Sequence, residues 1–408
     1  MIKAQTLKGF RDFLPKDALL RERVIQTCKT IFSLYGFDPL ETPALEYAET
    51  LLGKYGNEAD KLLYLFKDNG GRDVGLRYDQ TVPFARVIAQ YKNELPMPWK
   101  RYQVQPVWRA ENTQKGRYRE FLQCDIDIVG EQSMRADCEI ISTAITIAKT
   151  VSIHGACMKI NDRRIFETLG LTKADIIAID KLDKIGDAGV IEELEKNGAT
   201  NGKAVLNSVK FCPPTSWIKD IFAALTTMGL KEEIDFKFDP CLARGLDYYT
   251  STIFEMTVPG VSYSIAGGGR YDNLIGSFNG SDIPAVGIAF GFDRIIDWMK
   301  TQKIHEATTK TTVFVTIFDE QTEKENSRLT TTLRESGIAT DEWMGINSKL
   351  EKQLKYANKK GIPFVIIQGP DEIAKNVVQL KNMVTHESTT ETIESAIQKL
   401  QSSLTTSY

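Results

Sequence analysis

The stretch from Met97 to Gly130 restricts the fold more than any other part of the chain. Tyr102-Gln103-Val104-Gln105-Pro106-Val107-Trp108 and Phe121-Leu122-Gln123-Cys124-Asp125-Ile126-Asp127-Ile128-Val129 are alternating, β-branched runs, and a polar, basic loop from Asn112 to Arg119 separates them. Two such runs around a short polar loop form a hairpin, so a long antiparallel pair is expected. Upstream, Ala18 to Leu34 places apolar residues at helical spacing and stops at Tyr35-Gly36-Phe37. Downstream, Asp162 to Asn207 reads as short charged helices without a β run, an insertion at about 162–210, and strands return from Ile234 through Val258 and around Ser262 to Ala266. Strands in runs, rather than a regular βαβ alternation, predict an α+β domain built on an antiparallel sheet flanked by helices.

Beyond Trp298 the text changes. Gln302 to Thr311 is short, polar and threonine-rich. After it, Thr312 to Phe318 reads as a buried strand, Glu323 to Ser336 as a helix, Ala339 to Trp343 as a short strand, Ser348 to Lys360 as a helix, Pro363 to Ile367 as a buried strand, and Thr390 to Leu404 as a final helix. This alternation predicts a separate α/β domain. The expected organisation is a first domain over 1–305, a linker at 306–310 and a second domain over 311–408.

Composition narrows the class without deciding it. At 408 residues the chain exceeds one typical core. It is 42% apolar and 26% charged, with no run of roughly 18 or more apolar residues that would cross a membrane. The N-terminus lacks the apolar stretch of a secretory signal, and Cys28, Cys124, Cys138, Cys157, Cys212 and Cys241 show no CxxC spacing. Reduced, mostly buried thiols in a cytoplasmic protein are expected. A net charge of −3 argues against sequence-independent coating of nucleic acid but leaves room for a local basic groove.

The chemistry is reached by subtraction. Only His154, His305 and His386 are present, none beside a nucleophile or in an HExxH pattern; there is no P-loop, and Ala266-Gly267-Gly268-Gly269-Arg270 lacks a third glycine at dinucleotide-binding spacing. What remains is arginine: Arg109 at the end of a hairpin strand, Arg117 and Arg119 in its loop, Arg244 before Gly245-Leu246-Asp247-Tyr248-Tyr249, and Arg294 where a glycine-rich strand enters a helix. Each alone reads as a solvated surface arginine, and the Gly245 segment alone as a turn before an aromatic strand. Converging guanidinium groups, however, would hold a triphosphate without a P-loop.

The segments YGFDPLETPALE (Tyr35 to Glu46), WRAE with GRYREFLQCDIDIVG (Trp108 to Glu111, Gly116 to Gly130) and PAVGIAFGFDR (Pro284 to Arg294) resemble motifs 1, 2 and 3 of the class II aminoacyl-tRNA synthetases. LARGLDYY (Leu242 to Tyr249) and AGGGRYD (Ala266 to Asp272) resemble the two signatures of histidyl-tRNA synthetases, as do LKGFRDFLP (Leu7 to Pro15) and LRYDQTVPFAR (Leu76 to Arg86). The resemblance runs through nearly the whole chain in the family's order.

That resemblance implies a histidine-tRNA ligase: L-histidine and ATP give histidyl-adenylate and pyrophosphate, and the histidyl group then moves to the 3′ end of its tRNA. It implies Arg109 and Arg244 as the catalytic cations on opposite sides of the α-phosphate. Glu111 would contact the adenine, Phe121 stack beneath it, Arg117 hold the distal phosphates and Arg294 cover the other side of ATP. Histidine contacts fall on Asp79, Gln80, Thr81, Arg109, Gln123, Asp127, Arg244, Tyr248, Tyr249 and Tyr271. Of these, Asp127, Tyr249 and Tyr271 would face the imidazole, and Asp79, Thr81 and Gln123 the α-amino group. Asp127 stands where many bacterial members carry glutamate. No metal site follows from a motif; Mg2+ is expected with ATP. Motif 1, with Pro43, implies a homodimer. The second domain is similar to the class II anticodon-binding domain, with a tRNA face at Lys349, Lys352, Tyr356 and Lys359 and Arg119 as a further tRNA-binding residue; a solvated lysine face is the other explanation of that spacing. The alternative is a non-catalytic paralogue, either a regulatory subunit of histidine biosynthesis or an uncharged-tRNA sensor.

Overall fold

The computed structural model describes residues 2–52, 62–113, 116–244, 248–302, 308–345 and 348–405. The chain forms two compact units, one from Met1–Asp12 with Val24–Lys303 and one from Phe13–Arg23 with Ile304–Tyr408. The helix α1 (Pro15–Leu34) contributes its later half to the first, where Val24, Cys28, Ile31 and Phe32 recur at helical spacing and are buried.

The first unit is organised by an eight-stranded sheet. In chain order its strands are β1 (Asp38–Pro39), β5 (Trp99–Trp108), β6 (Glu120–Val129), β7 (Cys157–Asp162), β8 (Phe236–Phe238), β9 (Thr252–Thr257), β10 (Ala266–Arg270) and β11 (Ala285–Gly291). In space they run β1-β5-β6-β11-β10-β9-β7-β8; the inner pairs are antiparallel and the two short edge strands pair parallel. A smaller antiparallel sheet, β2-β4-β3, joins Leu45–Tyr47, Asp73–Leu76 and Tyr64–Lys67. The expected hairpin is present as β5 and β6, paired from Trp99 with Val129 to Trp108 with Glu120.

Strand alternation divides the large sheet into two unlike faces. Cys124, Ile126 and Ile128 of β6, Val286, Ile288 and Phe290 of β11, Phe254 and Met256 of β9, and Met158 and Ile160 of β7 are all buried on one side. There Phe32 of α1 stacks on Tyr102 at 5.2 Å. The helix α3 (Met134–Thr150) packs on the same sheet and follows α2 (Thr81–Tyr91) in the chain. The other face carries glycines and polar side chains and holds the site described below.

Two expectations need correction. The strand expected around Ser262 to Ala266 is instead Ala266–Arg270, so the glycine run is a buried central strand and not a loop. Glycine is depleted in strands because it adds entropy cost and no packing; here close approach of other groups requires it. All six cysteines are free, but only Cys28, Cys124 and Cys138 are buried, so "mostly buried" overstates their enclosure.

From Arg164 to Lys210 the chain is helical: a short turn at Arg164–Thr168, then α4 (Lys173–Asp180), α5 (Leu182–Lys196) and α6 (Gly202–Lys210), with Gly186 at φ 66° kinking α5. Phe166, Ile179, Val190, Leu194, Leu206 and Val209 make a core of their own that also takes in Ala243. After it come α7 (Ser216–Thr227) and, following β11, α8 (Phe292–Thr301).

The second unit has a five-stranded sheet, β13-β12-β14-β15-β16. Val313–Val315 (β12), Thr340–Glu342 (β13) and Phe364–Ile367 (β14) pair parallel, while Val377–Asn382 (β15) and Ser388–Thr392 (β16) add antiparallel. Alternation sends Val313 and Val315 to a core with α9 (Glu320–Glu335) and α11 (Ile393–Thr405), and Phe314 to a core with α10 (Leu350–Lys360). The β15–β16 hairpin is absent from the sequence expectation, and the final helix begins at Ile393 rather than near Thr390. The reason is local: Ser-Thr-Thr-Glu-Thr of β16 is an edge strand with no buried residue, so it lacks hydrophobic alternation.

Candidate active site

Register places the site. Across the polar face, residues directly opposite one another line up as Arg101, Asp127, Gly287, Gly269 and Ile253 in one row, and as Gln103, Asp125, Ala289, Gly267 and Glu255 in the next. The glycines make a trench. A Cβ on Gly287 would lie 1.9 Å from Asp127 Oδ1, and one on Gly267 would lie 1.7 Å from Arg244 Nη1. Gly269 is closed by the Thr252 carbonyl at 2.5 Å and the Tyr249 ring at 2.9 Å. Gly267 and Gly269 therefore clear room for the Arg244 and Tyr249 side chains on this face.

At one end the trench opens into a cleft of about 210 Å³ lined by Arg109, Glu111, Arg117, Phe121, Arg244 and Arg294, among others. Arg109 donates from Nε to the Tyr78 carbonyl at 2.9 Å, and its guanidinium lies 5.2 Å from the Phe121 ring centroid. Arg117, 55% exposed, pairs with Glu111 at 3.1 Å. Arg294, in the first turn of α8, donates to the Ser264 carbonyl at 3.0 Å and faces the Tyr263 ring. Burial, and then the charge of Arg117, push its guanidinium below its ordinary value. Arg244 has φ 48°, the left-handed region that a non-glycine residue occupies at a cost, as functional residues often do. Its Nη1 is 3.5 Å from Glu255 Oε1, while its Nε meets no partner among the described residues. Four guanidinium groups thus face one cleft, Arg117 paired with Glu111 and Arg244 with Glu255. Such a cleft is made for polyanions.

One strand repeat away the chemistry reverses. Asp127 is 3% exposed and Arg101 fully buried. Arg101 Nη2 approaches Asp127 Oδ2 at 2.6 Å, yet out of line for a hydrogen bond, and the Tyr271 hydroxyl donates to Asp127 Oδ1. Burial raises the Asp127 carboxyl, opposed by Arg101, and burial lifts the Tyr271 phenol well above its ordinary value. The Tyr248 and Tyr249 hydroxyls are 3.4 Å apart, and the Tyr248 ring meets Tyr271 edge-on at 5.9 Å. Asp79 accepts from the Val82 amide at 3.2 Å, and Thr81 opens α2 half-buried. Gln80 spends its amide on the carbonyls of Gln105 and Gln123, 2.9 and 3.1 Å away, stitching α2 to both hairpin strands.

Most residues singled out from the sequence converge here, but three do not behave as expected. Arg119, expected to contact tRNA, turns into its own loop: its amide donates to the Gly9 carbonyl at 2.9 Å and its Nε to the Glu111 carbonyl at 3.1 Å. Gln80 faces the sheet. Tyr356 is 40% exposed but also engaged within its own unit, its ring 5.4 Å from Phe314 and 5.7 Å from Trp343 and its hydroxyl donating to Asp341 at 3.0 Å. Lys349, Lys352 and Lys359 remain exposed on the second unit. Gly245 to Asp247, and residues 303–307 where the expected domain boundary and the start of the linker fall, lie outside the described residues.

Sequence reasoning missed Arg101, Glu255 and Arg11. Arg101 and Glu255 acquire meaning only through cross-strand register. Arg11 donates to Asp293 at 2.7 Å and lies 3.2 Å above the Tyr118 ring, while Asp293 also accepts from the Leu122 amide at 3.0 Å. The N-terminal segment so fastens the hairpin loop to α8. Its signal was the Leu7 to Pro15 segment, which carries no chemistry when read alone.

The family model "Histidyl-tRNA synthetase" matches residues 9–295, and "Anticodon binding domain" matches 302–403. The histidine–tRNA ligase of Bacteroides fragilis is 38% identical, covering 96% of this chain and 97% of the relative. That of Helicobacter acinonychis is 36% identical, covering 94% of each. Among solved structures, the histidyl-tRNA synthetase of Nostoc sp. PCC 7120 superposes with a TM-score of 0.88 at 29% identity, covering 98% of this chain and 99% of that one. A Bacillus halodurans protein titled "ATP phosphoribosyltransferase regulatory subunit/histidyl-tRNA synthetase" shares the fold, with a TM-score of 0.73 at 21% identity over 90% of this chain and 98% of its own.

Proposed function

The chain belongs to the histidyl-tRNA synthetase family and is a histidine–tRNA ligase, and on that premise we propose which of its residues carry each part of the reaction. A histidine carboxylate oxygen attacks the α-phosphorus of ATP; the bond to the bridging oxygen breaks and pyrophosphate leaves. Two anions must meet, so fixed cations lower the barrier by neutralising charge without reorganising. Arg109 takes the carboxylate and α-phosphate on one side and Arg244 the α-phosphate on the other. Arg117 and Arg294 take the remaining phosphates, and Phe121 stacks against the adenine. Glu111 holds Arg117 in this structure; Arg117 turning to the phosphates releases Glu111 for the base.

Asp127 with Tyr271 and Tyr249 binds the imidazole, whose ring N–H finds a carboxylate already oriented by Tyr271. Asp79, Thr81 and Gln123 receive the α-amino group, with Gln80 holding the strand that carries Gln123. Magnesium enters as the ATP complex. Among the described residues no cluster of three or more His, Cys, Asp or Glu side chains is placed to cage a metal. The observation that carries this reading is the convergence of Arg109, Arg117, Arg244 and Arg294 on one cleft beside a buried Asp–Tyr pair. No specific feature favours the non-catalytic alternative. Histidine-dependent exchange of pyrophosphate into ATP tests it: exchange that histidine does not stimulate would overturn the assignment.

Residues 1–305 would adenylate and 311–408 read the tRNA through Lys349, Lys352 and Lys359; Arg119 and Tyr356, engaged within the protein, drop out of that set. A homodimer is supported by the β2-β4-β3 sheet, where Leu45, Tyr47, Leu65 and Phe66 are 44–53% exposed beside the motif 1 segment. Sedimentation of Tyr47→Glu with Phe66→Lys should show monomers if so. A cytoplasmic location agrees with the finding that no described helix is long and apolar enough to cross a membrane.

A further inference from the structure

One acid on the polar face has no role in the reading above. Asp125 lies midway along β6, between Gln123 and Asp127, on the face whose neighbours Phe121, Gln123 and Ala289 line the cleft. It is 2% exposed, and its Oδ1 accepts no hydrogen bond from any described residue. Next to it Gln123, 7% exposed, donates to Asp125 Oδ2 at 3.4 Å and leaves its own Oε1 without a donor. Two buried acceptors on adjoining side chains thus lack donors among the described residues, and a buried acceptor without a donor costs about 1–3 kcal/mol. Apolar neighbours would not remedy that. A ligand bringing several N–H donors and a positive charge would.

The register says where such a ligand sits. Asp127, at the imidazole end, and Phe121, at the base end, are six residues apart on β6, and Asp125 is two residues from Asp127, about 6.8 Å along the strand. Opposite Asp125 stand Ala289 and then Gly267, which leave the row open up to Arg244. A histidine laid along β6, with its ring at Asp127 and its carboxylate toward Arg109 and Arg244, carries its α-carbon over the Asp125 row.

We propose that Asp125 is a substrate-binding residue: its free Oδ1, together with Gln123 Oε1, receives the α-ammonium group of the amino acid. This deepens the function stated above and rests on it. An ammonium donates three N–H bonds and neutralises a carboxylate that burial otherwise disfavours. A carboxylate and an amide together discriminate the amino group from a hydroxyl or a hydrogen, whereas Asp127 discriminates the ring. Asp125 thus adds a buried charge to the α-amino contacts of Asp79, Thr81 and Gln123. Its burial is consistent with this, because burial lifts its carboxyl well above the ordinary value when the site is empty, with Arg101 pulling the other way.

The test separates the two ends of the substrate by using two probes with the full-length protein: histidinol, which keeps ring and ammonium but lacks the carboxylate, and 3-(imidazol-4-yl)propionate, which keeps ring and carboxylate but lacks the ammonium. Asp125→Asn should weaken histidinol roughly 10- to 100-fold, the scale of a hydrogen bond to a charged group, and leave the propionate within about twofold. In pyrophosphate exchange, the KM for histidine should rise while the KM for ATP holds. Asp125→Ser, read by the same ratio of probes, serves if the asparagine variant does not fold. Equal losses for both probes would mean Asp125 acts only through the fold, and unchanged histidinol binding would remove it from the site; either result overturns the proposal. If the unsubstituted protein shows no histidine-dependent exchange, the functional assignment fails instead, and with it the premise.

Discussion

Arg244 occupies the space that a side chain at Gly267 would fill: a Cβ there would lie 1.7 Å from Arg244 Nη1 and 2.5 Å from its Cζ. The signature arginine and the signature glycine run are thus one steric unit, although 23 residues separate them in the chain.

Gly267→Ala should displace the guanidinium and lower pyrophosphate exchange by roughly 10²-fold, the scale of one preorganised transition-state donor. Arg244→Ala should do the same. Because both remove one interaction, the double variant should fall little further than either single one, a non-additivity that steady-state exchange assays read directly. Histidine binding by calorimetry should change much less.

Asp127→Ala should cost stability as well as histidine affinity. It strands Arg101, fully buried against Phe84 with Gln103 as its remaining partner, and stranding a buried charge costs about 3–5 kcal/mol. Adding Arg101→Met should recover most of that in denaturant titrations, yet leave histidine binding impaired. Recovery of both would show that Asp127 serves the fold alone.

The ligand-free protein should be less stable at neutral pH than its Asp125→Asn variant. Burial raises the Asp125 carboxyl, while Arg101 and Arg109 oppose the shift and Asp127 and Asp79 add to it. A carboxyl raised on folding contributes stability below its unfolded value of about 3.9, and that contribution is lost as pH rises through the raised folded value. The asparagine has no such loss. Melting temperatures of the two should therefore converge near about pH 4 and separate in favour of the variant toward about pH 7.

Replacing Lys349, Lys352 and Lys359 by alanine should weaken tRNA binding and flatten its salt dependence, by up to about 0.7–0.9 in log–log slope for each phosphate that no longer meets a lysine. Adenylation should be unaffected. All three side chains are exposed, so melting temperature should hardly move. An unchanged salt slope would return them to the status of a solvated helix face.

Much of the fold was legible because it is written locally. The β5–β6 hairpin announces itself by alternation, α1 by apolar spacing with a glycine stop, and β12 and β14 of the second unit by short β-branched runs. The β15–β16 hairpin was not legible, since an edge strand buries nothing and so leaves no pattern. The glycine strand β10 was misplaced for a related reason: its composition argues against a strand, and only the approach of Arg244, Phe254 and Tyr249 to Gly267, Gly268 and Gly269 explains it.

For the candidate site, the sequence by itself determined the residue types on offer: Arg109, Arg117, Arg244 and Arg294, the Asp127 strand and the paired tyrosines stand in motifs whose order is set in one dimension. Tertiary structure decided how they are used. Register alone pairs Arg101 with Asp127 and sets Asp125 in a row with Gly267 and Glu255, because cross-strand neighbours have no fixed separation in the chain. The same packing gives Arg119, Gln80 and Tyr356 partners within the protein: a side chain's hydrogen-bond capacity is spent on whichever partner the fold brings closest, and that partner is invisible until the strands are laid side by side.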